Sequence, residues 1–274
     1  RVAIAFMLAV ALTGASAQES SELIDTYRRN FVRSSLGTKL ELLKEASAYD
    51  GVDMGPLYDT AIQFVLSNAS LLSTDALLRD ISVLSVNMVR KYKYAPAAGH
   101  LWELFGIYKD ALVRVPLLQT LAEVAVGNPA ILKELNAFVD TQVSLAKSGV
   151  RIDQAVLDAA IYSLGRLGDS SSFPFLFAAY TASIGKAVTD RAGAAMASLK
   201  GDYAAFLAEV IRSSPPADKA AALEAGLRGG ALPEERRGEL AEVALSVGVS
   251  YQSPSSGDQG YILPAEELEL IEVV

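Results

Sequence analysis

Apolar residues recur at helical intervals along most of the chain. Leu23, Tyr27 and Phe31 fall four residues apart, and Leu36, Leu40, Leu43 and Ala46 continue a one-sided stripe, the spacing that puts side chains on one face of an α-helix. Pro56 opens the next predicted helix, whose inner face is Leu57, Ala61, Phe64 and Val65. A first-turn proline costs no hydrogen bond there. Thr74 stands where it can cap a longer helix carrying Leu77, Leu78, Ile81, Leu84 and Met88. Pro96 precedes one with Leu101, Leu104, Phe105 and Tyr108, and Pro116 is expected to start another, ended by Gly127. Asn128-Pro129 is a cap followed by a first-turn proline, Asp153 can cap the helix bearing Val156, Leu157, Ala160, Ile161 and Leu164, and Gly168-Asp169 and Gly201-Asp202 close one helix and open the next. Pro215-Pro216 and Gly229-Gly230 mark two more joints.

Clear period-two alternation is absent before residue 260, so the expected class is all-α, with about 12 to 13 helices of roughly 11 to 20 residues. Helices this short are weak alone in water and must bury their apolar faces on neighbours. Short turns make consecutive helices antiparallel, which leaves a bundle or a stack of hairpins. The glycine joints favour the stack. Gly127, Gly168 and Gly201 each separate two apolar helices, at spacings of 41 and 33 residues, in the range of helix-pair repeats.

The best-formed unit runs Ala159-Ala160-Ile161-Tyr162-Ser163-Leu164-Gly165-Arg166-Leu167-Gly168-Asp169. Its small residues at 159, 160 and 165 let a neighbouring helix come close. Gly168 can take a left-handed turn and Asp169 can cap the second helix of the pair. A weaker copy ends Leu199-Lys200-Gly201-Asp202, and a fainter one Val126-Gly127-Asn128. This run resembles the HEAT-like (armadillo-type) helical repeat family, in the short form first recognised in phycobilin lyases. The resemblance covers residues 115–213. It implies an α-α superhelix of antiparallel helix pairs that binds proteins along its surface, with Ala160, Leu164, Gly165, Leu167, Gly168, Asp169, Gly201, Asp202, Gly127 and Asn128 as structural positions of the motif.

Charge and residue counts narrow the function. The chain has 274 residues, of which 24 are Lys or Arg and 32 Asp or Glu, for a net charge of -8. Phosphate backbones demand basic surface, so nucleic acid is not an expected partner. The complete absence of cysteine removes disulfides, thiol catalysis, thiolate zinc, iron–sulfur clusters and a lipid-anchored bacterial N-terminus. With one histidine, His100, Ser-His machinery and ordinary zinc sites are not expected either. No cofactor and no metal is expected.

Two clusters remain as candidate contact sites for a protein partner. Arg90-Lys91-Tyr92-Lys93-Tyr94 is a basic-aromatic run. It can hold an acidic patch, although cations at a helix C-terminus also serve the helix itself. After a Ser/Pro/Gly-rich linker from Ser250, the chain ends in an acidic-apolar tail with Leu268, Leu270 and Ile271, a pattern that can dock as an added strand. An enzyme or small-ligand reading would use inter-helix space near His100, Trp102 and Tyr108. A structural subunit of an envelope assembly is the third reading.

Residues Val2 to Leu12 are uninterrupted apolar, preceded by Arg1 and followed by Gly14 and Ala15-Ser16-Ala17, the order of a secretory signal. Eleven helical residues rise roughly 16 Å, about half of a ~30 Å hydrocarbon layer, so a stable span is not expected. The organisation is therefore a signal peptide at 1–17, a helical repeat domain at 18–249, and a linker and tail at 250–274. The expected function is a non-catalytic protein-binding or scaffolding module, periplasmic or secreted, with no integral span. The N-terminal peptide of the exported protein, read by mass spectrometry, is predicted to begin at Gln18; a first residue of Arg1 would refute the signal assignment.

Overall fold

A computed structural model of the chain describes residues 19–49, 51–72, 74–228 and 232–251. Among them every regular element is helical: α1 over 19–33, α2 (Leu36–Ser47), α3 (Gly55–Ser67), α4 (Ala76–Tyr92), α5 (Ala98–Ile107), α6 (Ala111–Val124), α7 (Pro129–Lys147), α8 (Gln154–Leu167), α9 (Phe173–Thr181), α10 (Lys186–Ser198), α11 (Ala204–Ser213), α12 (Pro216–Arg228) and α13 (Glu234–Tyr251). The all-α class is as expected. The leader at 1–17, the Gly229-Gly230 joint and the tail residues Leu268, Leu270 and Ile271 lie outside the described residues.

Local chemistry sets most helix starts. Asn128 Oδ1 accepts from the N–H groups of Ala130 and Ile131, and Asp153 Oδ1 from those of Ala155 and Val156, each such cap contributing about 1 kcal/mol. Two expected starts move. Asp75, not Thr74, caps α4, its carboxylate accepting from Leu78 N–H at 3.1 Å. Pro116 does not open a helix but lies inside α6, which starts instead from Asp110, whose Oδ1 accepts from Leu112 N–H at 2.9 Å. An internal proline forfeits one backbone bond and costs about 3 kcal/mol. Here the burial of Val113, Leu117, Leu118 and Leu121 along the helix offsets it, since a fully buried aliphatic side chain contributes about 1.5 to 3 kcal/mol.

The chain divides into two compact units between Val126 and Gly127. In the first, α3 packs on α4 and α5, α2 on α4, and α6 on α4 and α5, around Phe31, Leu43, Met54, Leu57, Tyr58, Ile62, Ile81, Leu101 and Leu117. Lys39 closes one corner. Its buried ammonium donates to the carbonyls of Phe31, Val32 and Ser34 at the end of α1 and sits 4.8 Å from the ring centroids of Phe31 and Phe64. All three of its protons are thereby used, on carbonyls at a helix end, where intrahelical donors run out. Burial pulls this ammonium below its usual pKa.

In the second unit α7 packs on α8 and α9, α8 and α9 on α10, and α11, α12 and α13 on one another. Residues 33 apart meet along α8 and α10: Arg191 Nε donates to Asp158 Oδ1 at 3.0 Å, and Ser198 Oγ to the Gly165 carbonyl at 2.9 Å. Phe173 and Phe206 keep the same interval, edge to face at 5.9 Å. Gly165 makes this contact possible, because a Cβ there would lie 2.9 Å from both Cα and Cβ of Ala195. Gly168 takes φ 71° and Gly201 φ 114°, and Lys200 N–H donates to the Gly168 carbonyl at 2.8 Å, joining the two turns. Asp169 caps not α9 but the 3-10 turn Ser170–Ser172 before it. Ser171 hydrogen bonds hold its carboxyl below the usual range.

Two substitutions separate close approach from helix propensity. Gly165→Ala is expected to lower stability by about 1 to 3 kcal/mol, because overpacking outweighs the helix gain. Gly193→Ala on α10, whose new methyl would meet Tyr180 at an ordinary 3.5 Å, is expected to be neutral or stabilising by up to about 1 kcal/mol. Urea melts of both variants check this; a stabilised Gly165→Ala would contradict the packing.

Candidate functional site

The most organised titratable group lies in the first unit, where the end of α4 and the start of α5 cross α3. Asp53 Oδ1 accepts from Gly55 N–H at 2.9 Å and sets the start of α3. At the far end of α4, Lys93 adopts φ 51° and Tyr94 N–H returns to the Val89 carbonyl at 3.1 Å. This turn lays the Tyr94 ring on α3. Gly55 has to be glycine for it, since a Cβ there would come within 2.5 Å of the ring. The 3-10 turn Ala95–Ala97 then swings the chain into α5, so that His100, in its first turn, faces Asp59 of α3.

His100 Nδ1 and Asp59 Oδ1 are 2.7 Å apart, and Gln63 Nε2, one turn along α3, donates to the other carboxylate oxygen at 2.9 Å. The Asp59 side chain retains 13% of its exposure and that of His100 35%, so the pair is shielded on the carboxylate side and open on the imidazole side. A charge-assisted bond of this length is among the stronger hydrogen bonds in a protein. Nδ1 is committed to the carboxylate, which leaves Nε2 as the ring atom free to accept or donate a proton. Beside the pair, burial first and then the charges of Asp59 and Asp53 raise the Tyr94 phenol, with Arg28 partly opposing. Burial, then Tyr92, raises Tyr58 as well. Both phenols therefore stay neutral at physiological pH.

In the basic-aromatic run Arg90, Lys91 and Lys93 are exposed, and its residues make separate contacts. Arg90 reaches Gln119 at 3.4 Å. Lys91 donates to the Ser47 carbonyl at the end of α2 and lies 5.5 Å over the Tyr92 ring. Tyr92 stacks on Tyr58 at 6.1 Å, Lys93 is exposed at the turn, and Tyr94 packs on Gly55. The residues near the lone histidine also diverge. Trp102 stacks on Phe105 at 5.0 Å, with the Arg114 guanidinium 4.0 Å from the Phe105 ring. Tyr108 is buried beside Ser82 of α4, its phenol raised by that burial. None of the four described cavities is lined by His100, Trp102 or Tyr108.

The motif positions of the second unit are structural. Ala160, Leu164 and Gly165 are buried and Leu167 ends α8. Gly127 turns with φ 74° ahead of the Asn128 cap. Asp202 accepts from Ala204 N–H at 2.9 Å and pairs with Arg236 of α13 at 3.0 Å. Three cavities of this unit were not foreseen from the sequence, one of them of about 890 Å³ and lined by Val150, Arg151, Asp153 and Ile184. A groove of about 730 Å³ runs between α11 and α13, floored by Ala204, Ala205, Ala208, Leu240, Val243 and Val247. A slot of about 180 Å³ opens among α9, α10 and α12. Among the described residues no cluster of three or more His, Asp or Glu could hold a metal ion, and no helix is long and apolar enough to cross a membrane.

The Asp59–His100 bond predicts a fixed tautomer. As the only histidine, His100 gives a single set of imidazole signals, and long-range 1H–15N spectra at high pH should show the proton on Nδ1. Asp59→Ala is expected to relax it to the mixture of a free imidazole; an unchanged tautomer would mean the carboxylate does not orient the ring. No protein-family model matches this chain, and the comparisons with curated proteins and with solved structures found no match.

Proposed function

We propose that this chain is an exported, non-catalytic protein-binding or scaffolding module of the cell envelope or secreted space, built of HEAT-like hairpins stacked in register. The observation that carries the reading is that α10 follows α8 at a 33-residue offset, where Asp158 meets Arg191 and Gly165 meets Ser198, and that Phe173 at the start of α9 meets Phe206 of α11 at the same offset. Contacts repeated at one offset are what stacking one hairpin on the next produces, each burying its apolar side on its neighbour. Such a stack offers long edges between helices in place of a deep cleft, and binding along an edge needs shape and charge but no reacting group.

The edge assigned to this role is the groove between α11 and α13. Its α11 wall is Ala204, Ala205, Ala208 and Arg212, where the alanines let a partner's backbone or helix come close, and Val243 and Val247 supply apolar area opposite. Arg236 spans one end, paired with Asp202 at 3.0 Å and Glu239 at 2.7 Å. This fixes the separation of the walls more than it stabilises the fold, since exposed ion pairs contribute only about 0 to 1 kcal/mol.

Because the chain lacks cysteine, Ser246→Cys in the groove gives a unique attachment point for a photocrosslinker. The expected result is crosslinking to a discrete envelope protein, lost when Ala205→Trp fills the groove and retained, with an unchanged melting temperature, when Lys147→Ala alters a remote surface. Crosslinking that survives Ala205→Trp would remove the groove from the function.

The second reading, an enzyme or small-ligand carrier near His100 and Trp102, is favoured by one observation. An imidazole oriented by a carboxylate at 2.7 Å is prepared to take a proton at Nε2. Ligand entry there would change the emission of Trp102, the only tryptophan.

A further inference from the structure

The two walls of the groove between α11 and α13 run in register. Asp202, at the foot of α11, pairs with Arg236 in the first turn of α13 at 3.0 Å, so both helices start from the same end and lie side by side. Ala205, Ala208 and Arg212 line the groove along α11, and Val243, Ser246 and Val247 along α13. From Arg236 to Val247 the α13 wall rises about 16 Å, roughly three helical turns. Neighbouring helices pack with axes roughly 8 to 10 Å apart, and alanine walls allow the near limit.

The charges of the groove fall into two sets. Asp202 and Glu239 are both engaged by Arg236. Arg212 and Glu242 are exposed, and among the described residues neither side chain has an ion pair or hydrogen bond. One uncommitted cation therefore stands on the α11 wall and one uncommitted anion on the α13 wall. In the register set by Asp202 and Arg236, Arg212 lies level with Ser246, roughly 6 Å and about one turn beyond Glu242. An occupant that satisfies both must carry both signs. The chain after α13 has no lysine or arginine from residue 252 to 274, so it could answer Arg212 but would set like charges against Glu242. A second copy offering the same groove would put furrow against furrow, with no ridge to fill either.

We propose that the groove holds one amphipathic helix of a partner protein, antiparallel to α11 and α13, with an acidic residue at Arg212 and a basic residue four positions later at Glu242. The inference rests on the protein-binding reading and names what that site receives. Antiparallel docking sets the N-terminus of the incoming helix beside the C-terminal ends of both walls, where the helix dipoles attract. It also orders the charges as acid then base at i and i+4, the order that stabilises the incoming helix itself.

The test uses the full chain and two fluorescein-labelled alanine–leucine peptides of about 14 residues, near the shortest length at which an isolated helix is marginally stable. One carries Glu and Lys at i and i+4, and the other has the two exchanged. Fluorescence anisotropy is expected to show the first bound about five-fold more tightly than the second, or better. Because the first order also favours helix formation, the deciding comparison is a double variant, Arg212→Glu with Glu242→Lys, in which the preference is expected to invert. Both residues are exposed, so this variant is expected to fold, as a thermal melt checks. Ala205→Trp is expected to weaken both peptides about ten-fold or more by filling the furrow. Failure of both peptides to bind, or a preference that does not invert, overturns the proposal. Tighter binding of a synthetic peptide of residues 261–274 also overturns it and gives the groove to the chain's own tail. So does a dimer of the free chain that Ala205→Trp dissociates in sedimentation, which gives the groove to a second copy. A missing envelope crosslink would count against the protein-binding role and not against this preference, which is measured with peptides alone.

Discussion

Helices α8 and α10 meet where Gly165 has no side chain, and the second unit depends on that approach. A Cβ at Gly165 would collide with the backbone of Ala195, and backbone, unlike the end of a flexible side chain, cannot swing aside. Three further ties need the same distance. Ser198 Oγ reaches the Gly165 carbonyl, Arg191 reaches Asp158, and Lys200 N–H reaches the Gly168 carbonyl. Each is individually modest, a neutral hydrogen bond contributing about 0.5 to 1.5 kcal/mol net and a part-exposed ion pair such as Arg191–Asp158 about 0 to 1 kcal/mol. Together they fix rotation and translation of one helix pair on the next, which apolar burial alone would leave loosely specified. The glycine sets the separation and the polar ties set the register.

The first unit solves the same problem with charge in place of a missing side chain. Its ties across helices include Tyr27 to Glu45, Arg28 to Thr60, Lys91 to Ser47 and His100 to Asp59, with Lys39 holding the end of α1 more locally. A buried ammonium or carboxylate is costly unless its hydrogen bonds are complete. Lys39 meets three carbonyls and Asp59 has both oxygens engaged, so each is tolerated only in one arrangement of the surrounding helices. That gives the unit specificity without a repeated motif.

This contrast explains what could be read from the sequence. Asn128, Asp153, Gly168 and Gly201 act through neighbours a few residues away, so their roles as caps and turns are visible in the chain itself. Gly165 was also legible, because a small residue on the apolar face of a helix announces a close neighbour. Asp59 was not, as its partner is 41 residues away; the available signal was a carboxylate among Leu57, Tyr58, Ala61 and Ile62, in a chain with one histidine. Pro116 misled because a proline marks a helix start only when no earlier cap competes, and Asp110 does. The groove and the slot had no local signature, since their walls come from helices separated by turns whose geometry the pattern of apolar residues does not fix.

One loop links the groove and the slot. Gly201, Asp202 and Tyr203 are consecutive: Gly201 is held at φ 114°, with Ser170 so near that a Cβ would lie 2.6 Å from its hydroxyl. Asp202 lines the groove and pairs with Arg236, while Tyr203 lines the slot and stacks on Phe173. The half facing the groove is an exposed ion pair, weak and easily exchanged. The half facing the slot is a buried aromatic stack, which does not yield without losing packing. A group entering the groove that drew Arg236 away from Asp202 would therefore leave Tyr203 in place. The wall of the slot is therefore the rigid side of this loop, and the wall of the groove its adaptable side.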